Sequence, residues 1–139
     1  LRPDFAGENG DEVPRMTRIW IVAAGLGGFV SVALAAAARH GPSETDLAAR
    51  AELLDIAARY LMYHSLAMLA VALLARLGAT LALRVAGWSF LAGMIAFAGG
   101  LSALAVTGSS LAGASTPVGG TLFMLGWLAL AVHGWRRRE

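Results

Sequence analysis

The sequence predicts an all-α integral membrane protein: a four-helix bundle with an additional amphipathic helix in the first outer loop. Three observations predict it. Of 139 residues, 58% are hydrophobic and only 14% charged, too few polar side chains to cover a soluble domain of this size. The charges are also grouped, with none between Arg84 and Arg136, an interval more than twice the roughly 20 residues of one crossing. Finally, each remaining apolar run has the length of one span and ends at arginines or at loop signals.

Residues 1–15 are polar, with Pro3, Pro14, Gly7, Gly10 and four acids, and read as a tail. Residues 16–139 form a single four-span membrane domain. Span one covers 19–38, with Gly25, Gly27, Gly28 and Ser31 as its least apolar members. Its apolar stretch exceeds a usual signal-peptide core, and three more spans follow, so it reads as a retained helix. Span two covers 60–77, between Arg59 and Arg76. Span three covers 85–106 and stops at Thr107, Gly108, Ser109 and Ser110. Span four covers 118–135 and stops at three arginines.

The loop between spans one and two carries helix signals. Ser43 and Asp46 have capping-box spacing, and Asp46/Arg50 and Asp55/Arg59 are acid-before-base pairs four apart. Leu47, Ala51, Leu54 and Ala58 form an apolar stripe between them. This helix either lies on the membrane face or runs as one rod into span two.

All eleven bases are arginine. Arg2, Arg15, Arg18, Arg76, Arg84, Arg136, Arg137 and Arg138 fall on one side of this topology, and only Arg39, Arg50 and Arg59 on the other. Cytoplasmic segments carry the excess of bases. Both termini are therefore expected in the cytoplasm, in a bacterial inner membrane. Trp20, Trp88, Trp127 and Trp135 are expected as interfacial anchors on that face, and His133 beside them as an interfacial residue near anionic head groups.

In lipid, small residues at four-residue spacing let helix backbones approach closely. The candidate packing residues are Gly27, Gly28, Ser31, Ala92, Ala96, Gly99 and Gly100. Gly27 and Ser31 on span one, with Ala92, Ala96 and Gly100 on span three, are expected to face inward. Ala24 and Gly28 on span one, with Gly99 and Ala103 on span three, lie on rotated faces and are expected to meet a partner. The glycine clusters lack the strand-turn-helix context of a nucleotide loop.

Three segments resemble a known family. Arg59-Tyr60-Leu61-Met62-Tyr63-His64 opens span two; Gly93 with Phe97-Ala98-Gly99-Gly100-Leu101 leads on to Val106-Thr107-Gly108; and Ser115-Thr116-Pro117-Val118-Gly119-Gly120 precedes Gly126-Trp127. These are similar to segments of the transmembrane protein 256 family, which shares domain of unknown function 423. Where that family ends helix one in Gly-Ala-Phe-Gly-Ala-His-Gly, this chain has Ala35-Ala36-Ala37-Ala38-Arg39-His40-Gly41, keeping the histidine and the last glycine. The resemblance implies four spans and no established activity.

His40, Tyr60, Tyr63, His64, Thr107 and Thr116 fall in the outer third and form a candidate structural polar cluster. His64 lies about one turn inside the membrane, where an unpartnered polar group is costly, so a hydrogen bond across the bundle is expected. No catalytic residue is assigned: the serines lack a nucleophile elbow and a positioned base. The chain therefore reads as a non-enzyme with no cofactor, metal or nucleic acid. Its partners are the lipid bilayer and a larger membrane complex, in which it is a structural or accessory subunit, or a homo-oligomer. The alternatives are a small transporter or channel, against which charge-free spans without interrupted helices count, or a haem or metal protein using His40 and His64.

Overall fold

A computed structural model of the chain describes residues 15–39 and 45–136. The tail at 1–14, and with it most of the 1–15 segment set apart above, lies outside the described residues, as do His40 and the Ser43 cap. Five helices follow one another: α1 (Arg15–Arg39), α2 (Thr45–Leu77), α3 (Leu81–Thr107), the single turn α4 (Ser110–Gly113) and α5 (Thr116–Arg136). No strand occurs among the described residues. Four stretches are long and apolar enough to cross a membrane: Arg15–Arg39, Ala48–Leu77, Leu81–Thr107 and Ser110–Arg136.

The outer helix and span two are one rod. At about 1.5 Å per residue, the 33 residues of α2 reach about 50 Å, longer than the ~30 Å hydrocarbon core, and the charged residues Arg50, Glu52, Asp55 and Arg59 lie in its N-terminal half. Asp55 and Arg59 pair there at 2.8 Å, as their spacing predicts. The pair is partly exposed and contributes about 0.3–0.5 kcal/mol. From the same segment, Arg50 extends to the end of α3, where a Cβ built on Gly108 would stand 3.4 Å from its guanidinium. A cation there opposes the partial negative charge of a helix C-terminus.

Local chemistry sets the ends. Thr80 caps α3 through Oγ1, which accepts from the Leu83 amide at 3.3 Å. Gly108 closes α3 in the left-handed region at φ 68°, and its amide donates to the Leu104 carbonyl at 2.8 Å. The chain then makes the extra turn α4, where sequence signals show only a loop, and α5 starts at Thr116 with Pro117 in its first turn, where a missing amide costs nothing.

Helix α1 packs on α2, α2 on α3, and α3 on α5. Alanines make this closeness possible: Ala57, Ala58, Ala67, Ala72 and Ala75 of α2 are all buried. Large side chains such as Phe29, Ile95 and Leu128 point outward, as they do where lipid is the solvent.

Two aromatic expectations are corrected. Trp20 is fully buried rather than interfacial, its indole lying over Gly87 of α3 and edge-on to Trp88 at 6.0 Å. Trp88, Trp127 and Trp135 do remain substantially exposed. His133 is also buried, at 8% exposure, with Nδ1 3.0 Å from Thr80 Oγ1. It ties the end of α5 to the start of α3 instead of projecting from the bundle.

Candidate functional site

The best-defined polar site is built by α2, α3 and α5 around His64. Its foundation is the α3–α5 seam. On α3, Phe90, Gly93 and Phe97 share a face; on α5, Gly119, Phe123 and Gly126 do the same. Large residues of one helix meet glycines of the other. A Cβ on Gly126 would stand 2.6 Å from the Phe90 ring, one on Gly93 2.6 Å from the Phe123 ring, and one on Gly119 2.5 Å from the Phe97 amide nitrogen. Each step of three or four along α3 is matched by the same step backward along α5, the register of two antiparallel helices. The seam continues outward to Gly100, which seats Ser115 and Thr116, and Ser115 Oγ donates to the Ala96 carbonyl at 2.8 Å.

His64 projects from α2 onto this seam. Its ring stacks on Phe123 with centroids 3.4 Å apart and an 8° interplanar angle, while Tyr60 lies near-parallel at 6.1 Å. Nδ1 stands 2.6 Å from the Tyr60 carbonyl oxygen, and Trp127 Nε1 donates to Nε2 at 3.3 Å. A carbonyl only accepts and an indole N–H only donates, so the proton sits on Nδ1 and the Nε2 lone pair is occupied. Both nitrogens and the Phe123 side of the ring are thus engaged. His64, Tyr60, Phe123 and Trp127 form an aromatic box, the His64 box, and a crevice of about 550 Å³ opens on it, flanked by Arg59, Tyr63, Gly120 and Met124.

The expected polar cluster is distributed as follows. Tyr60 and His64 meet in the box, with Tyr60 also packing on Phe97 at 4.8 Å, and Tyr63 lines the crevice. Thr107 stands apart: its hydroxyl donates to the Ala103 carbonyl at 2.8 Å and accepts from the Ser109 amide, finishing its own helix. Thr116 is packed over Gly100 with its hydroxyl buried and unbonded. His40 lies outside the described residues. The aromatic partners Phe90, Phe97 and Phe123 were not among the expected site residues, although their spacing opposite glycines was visible in both spans. Trp127, expected only as an anchor, is the donor to His64.

Among the packing residues, Gly27 is buried where a Cβ would meet Ser65 Oγ and Met94 Cε, and Ser31 donates across to the Ala58 carbonyl at 2.8 Å. Gly28 and Gly99 have no atom within 4 Å of an added Cβ, whereas Ala24, expected on the same partner-facing side as Gly28, is buried in the core with Trp20. Ala92 is exposed rather than inward. The inner surface of α3 is centred on Phe90, Gly93 and Phe97, and Ala92 falls behind it.

Among the described residues, no group of three histidines or acids could hold a metal ion. The box fits an interhelical lock: it joins α2 to α5, a pair that is not among the principal helix packings.

The profile described as "Protein of unknown function (DUF423)" matches residues 34–120. The chain belongs to the DUF423 family. It is 38% identical over 124 residues to a UPF0382 membrane protein of Haemophilus influenzae, covering 89% of this chain and 99% of that one. Relatives of the same description in Staphylococcus saprophyticus and Bacillus subtilis are each 32% identical, covering 83% of this chain and 95% and 94% of theirs. No solved structure matches the chain. The DUF423 match and the four apolar helices together make it a multi-pass membrane protein. Much of the three resembling segments lies along the α3–α5 seam and around His64, where these residues serve packing.

One consequence is measurable. Trp127→Phe should lower unfolding stability in detergent by roughly 0.6–1.7 kcal/mol, the range of interhelical hydrogen bonds in membranes, and His64→Ala by on the order of 1 kcal/mol or more because stacking on Phe123 goes too. Tyr60→Phe should be nearly neutral, since the acceptor is the backbone carbonyl that phenylalanine keeps. A Tyr60→Phe variant as unstable as His64→Ala would contradict this network.

Proposed function

We propose that this DUF423 protein is a non-catalytic structural or accessory subunit of a larger membrane assembly, held in a bacterial inner membrane with both termini cytoplasmic. The observation that carries the reading is the engagement of His64: the most elaborate polar site in the bundle joins helices and leaves no lone pair for a base or a ligand. Ser31, Ser115 and His133 likewise bond from helix to helix or from helix to turn. With the interior used for packing, what remains to act is the outer surface. Supporting the orientation, Arg15, Arg18, Arg76, Arg84 and Arg136 lie at one end of the four antiparallel spans. A C-terminal reporter fusion that reads external would overturn that part.

Gly28 supplies the test of assembly. It lies on α1 with open space around it, so leucine there leaves the monomer intact while blocking close helix approach. At native expression in mild detergent, the wild type should migrate as a stoichiometric complex. Gly28→Leu should shift it toward the free chain with an unchanged unfolding midpoint. A wild type that runs as a monomer with nothing copurifying would sink the proposal. Solute flux through liposomes that is lost on His64→Ala would replace it with a transporter.

A further inference from the structure

Away from the His64 box, an open groove runs along the membrane-facing side of α1 against α3. At the arginine-bearing end it encloses about 470 Å³, lined by Arg15, Arg18, Ile19, Val22, Leu26 and Leu91, with Ala23 at its inner edge. A second stretch of about 500 Å³, sharing Ala23, Leu26 and Leu91, continues it toward the outer end. Both volumes fall within the ~300–1,000 Å³ of small-molecule sites. The lining is apolar except for Ser102 in the second stretch and, at the mouth, the two arginines. Among the described residues the single ion pair is Asp55–Arg59, so no described carboxylate neutralises Arg15 or Arg18.

We infer that this groove binds an anionic phospholipid, with one acyl chain along Ile19, Val22 and Leu26 and the phosphate between Arg15 and Arg18. Length agrees with the assignment. One leaflet of the ~30 Å hydrocarbon core is about 15 Å deep, or about ten residues of helix, so a chain starting at Arg18 ends near Gly28, just past the junction of the two stretches. Chemistry agrees as well, because basic pockets between spanning helices are recognised sites for anionic head groups. Arginine forms bidentate hydrogen bonds to the phosphate of any phospholipid, but only a lipid of net negative charge neutralises the pair without placing an ammonium beside it. A helix, about 10 Å across with its side chains, would need a wider trough and would bring no anion to the mouth.

The test uses the full chain in nanodiscs of equal parts phosphatidylglycerol and phosphatidylethanolamine, followed by native mass spectrometry of retained lipid. Wild type should keep phosphatidylglycerol in preference. An arginine near an anionic membrane surface is worth about a fivefold factor, so Arg15→Gln/Arg18→Gln together should lower the preference by up to about twenty-five-fold. Arg84→Gln, at the same end but outside the groove, should leave it unchanged. Ala23→Leu, filling the junction, should reduce retention of both lipids without altering the preference. Val22→Trp, at a position 60% exposed, serves the same purpose should Ala23→Leu fail to elute as a folded species. Equal retention of the two lipids by wild type would overturn the inference. So would a preference that Arg84→Gln lowers as much as the arginine pair does, which means diffuse charge. Unchanged retention in both groove-filling variants, or displacement of the lipid by a copurifying helix, would also overturn it.

Discussion

Gly119→Ala should be among the most damaging single-methyl changes in this protein, while Gly120→Ala, one residue on, should be nearly silent. At Gly119 the new Cβ would lie 2.5 Å from the Phe97 amide nitrogen and 2.8 Å from its Cα. Those are backbone atoms of a neighbouring helix, so no rotamer change relieves the clash and α5 must move away from α3. Overpacking a well-filled interior costs about 1–3 kcal/mol, and this substitution belongs at or above the top of that range. At Gly120 the nearest atoms are Phe97 ring carbons at 3.9 and 4.0 Å, ordinary contact, and alanine is favoured over glycine in a helix by up to about 1 kcal/mol. Reversible unfolding in mixed micelles would compare the two. Equal midpoints for both variants would mean that α3 and α5 do not interdigitate in this register.

Trp20→Ala should be comparably severe for the opposite reason, by emptying a site. Trp20 is the largest fully buried side chain, and its ring covers Gly87. Removing a buried tryptophan from a core costs about 3–5 kcal/mol, and roughly the lower figure is expected here because lipid is itself apolar and chiefly packing is lost. Gly87→Ala alone should also destabilise, by about 1–3 kcal/mol, since its Cβ would meet the indole. The double variant should recover much of the Gly87→Ala cost, because without the ring the methyl has room, giving a coupling of at least about 1 kcal/mol. Additive losses would show that Trp20 and Gly87 do not touch. Near-UV circular dichroism supplies an independent readout of Trp20 and its edge-on neighbour Trp88.

The different outcomes expected at Gly119 and Gly120, or at Gly87 and Gly28, mark where sequence reading reaches its limit. Composition and a charge-free stretch from 85 to 135 suffice to place four helices in a bilayer, because lipid penalises every unsatisfied backbone group and every stray charge regardless of neighbours. The Asp55–Arg59 pair and the stop at Thr107-Gly108 are equally local and were legible for that reason. So was the helical character of the first outer loop. Sequence leaves its fusion with span two open, because helix signals specify a conformation and not a bend.

Which glycine is a seat and which is open, by contrast, depends on the rotation of two helices about their axes. In lipid no water-driven stripe reports that rotation, since inner and outer faces are both apolar. Trp20 and His133 were misplaced on this account: their positions near helix ends suit an interfacial anchor, and only the approach of α3 buries them. The clue to the α3–α5 seam was present as Phe90-Gly93-Phe97 in one span and Gly119-Phe123-Gly126 in another. It acquires meaning only when the two helices are set antiparallel in one register. Sequence by itself determined the helices, their order and the membrane as solvent. The tertiary structure alone decided that His64 meets Trp127 and Phe123 and that Gly119 bears on the Phe97 backbone, because contacts between residues 22 to 63 positions apart are set by packing geometry, which local chemistry does not encode.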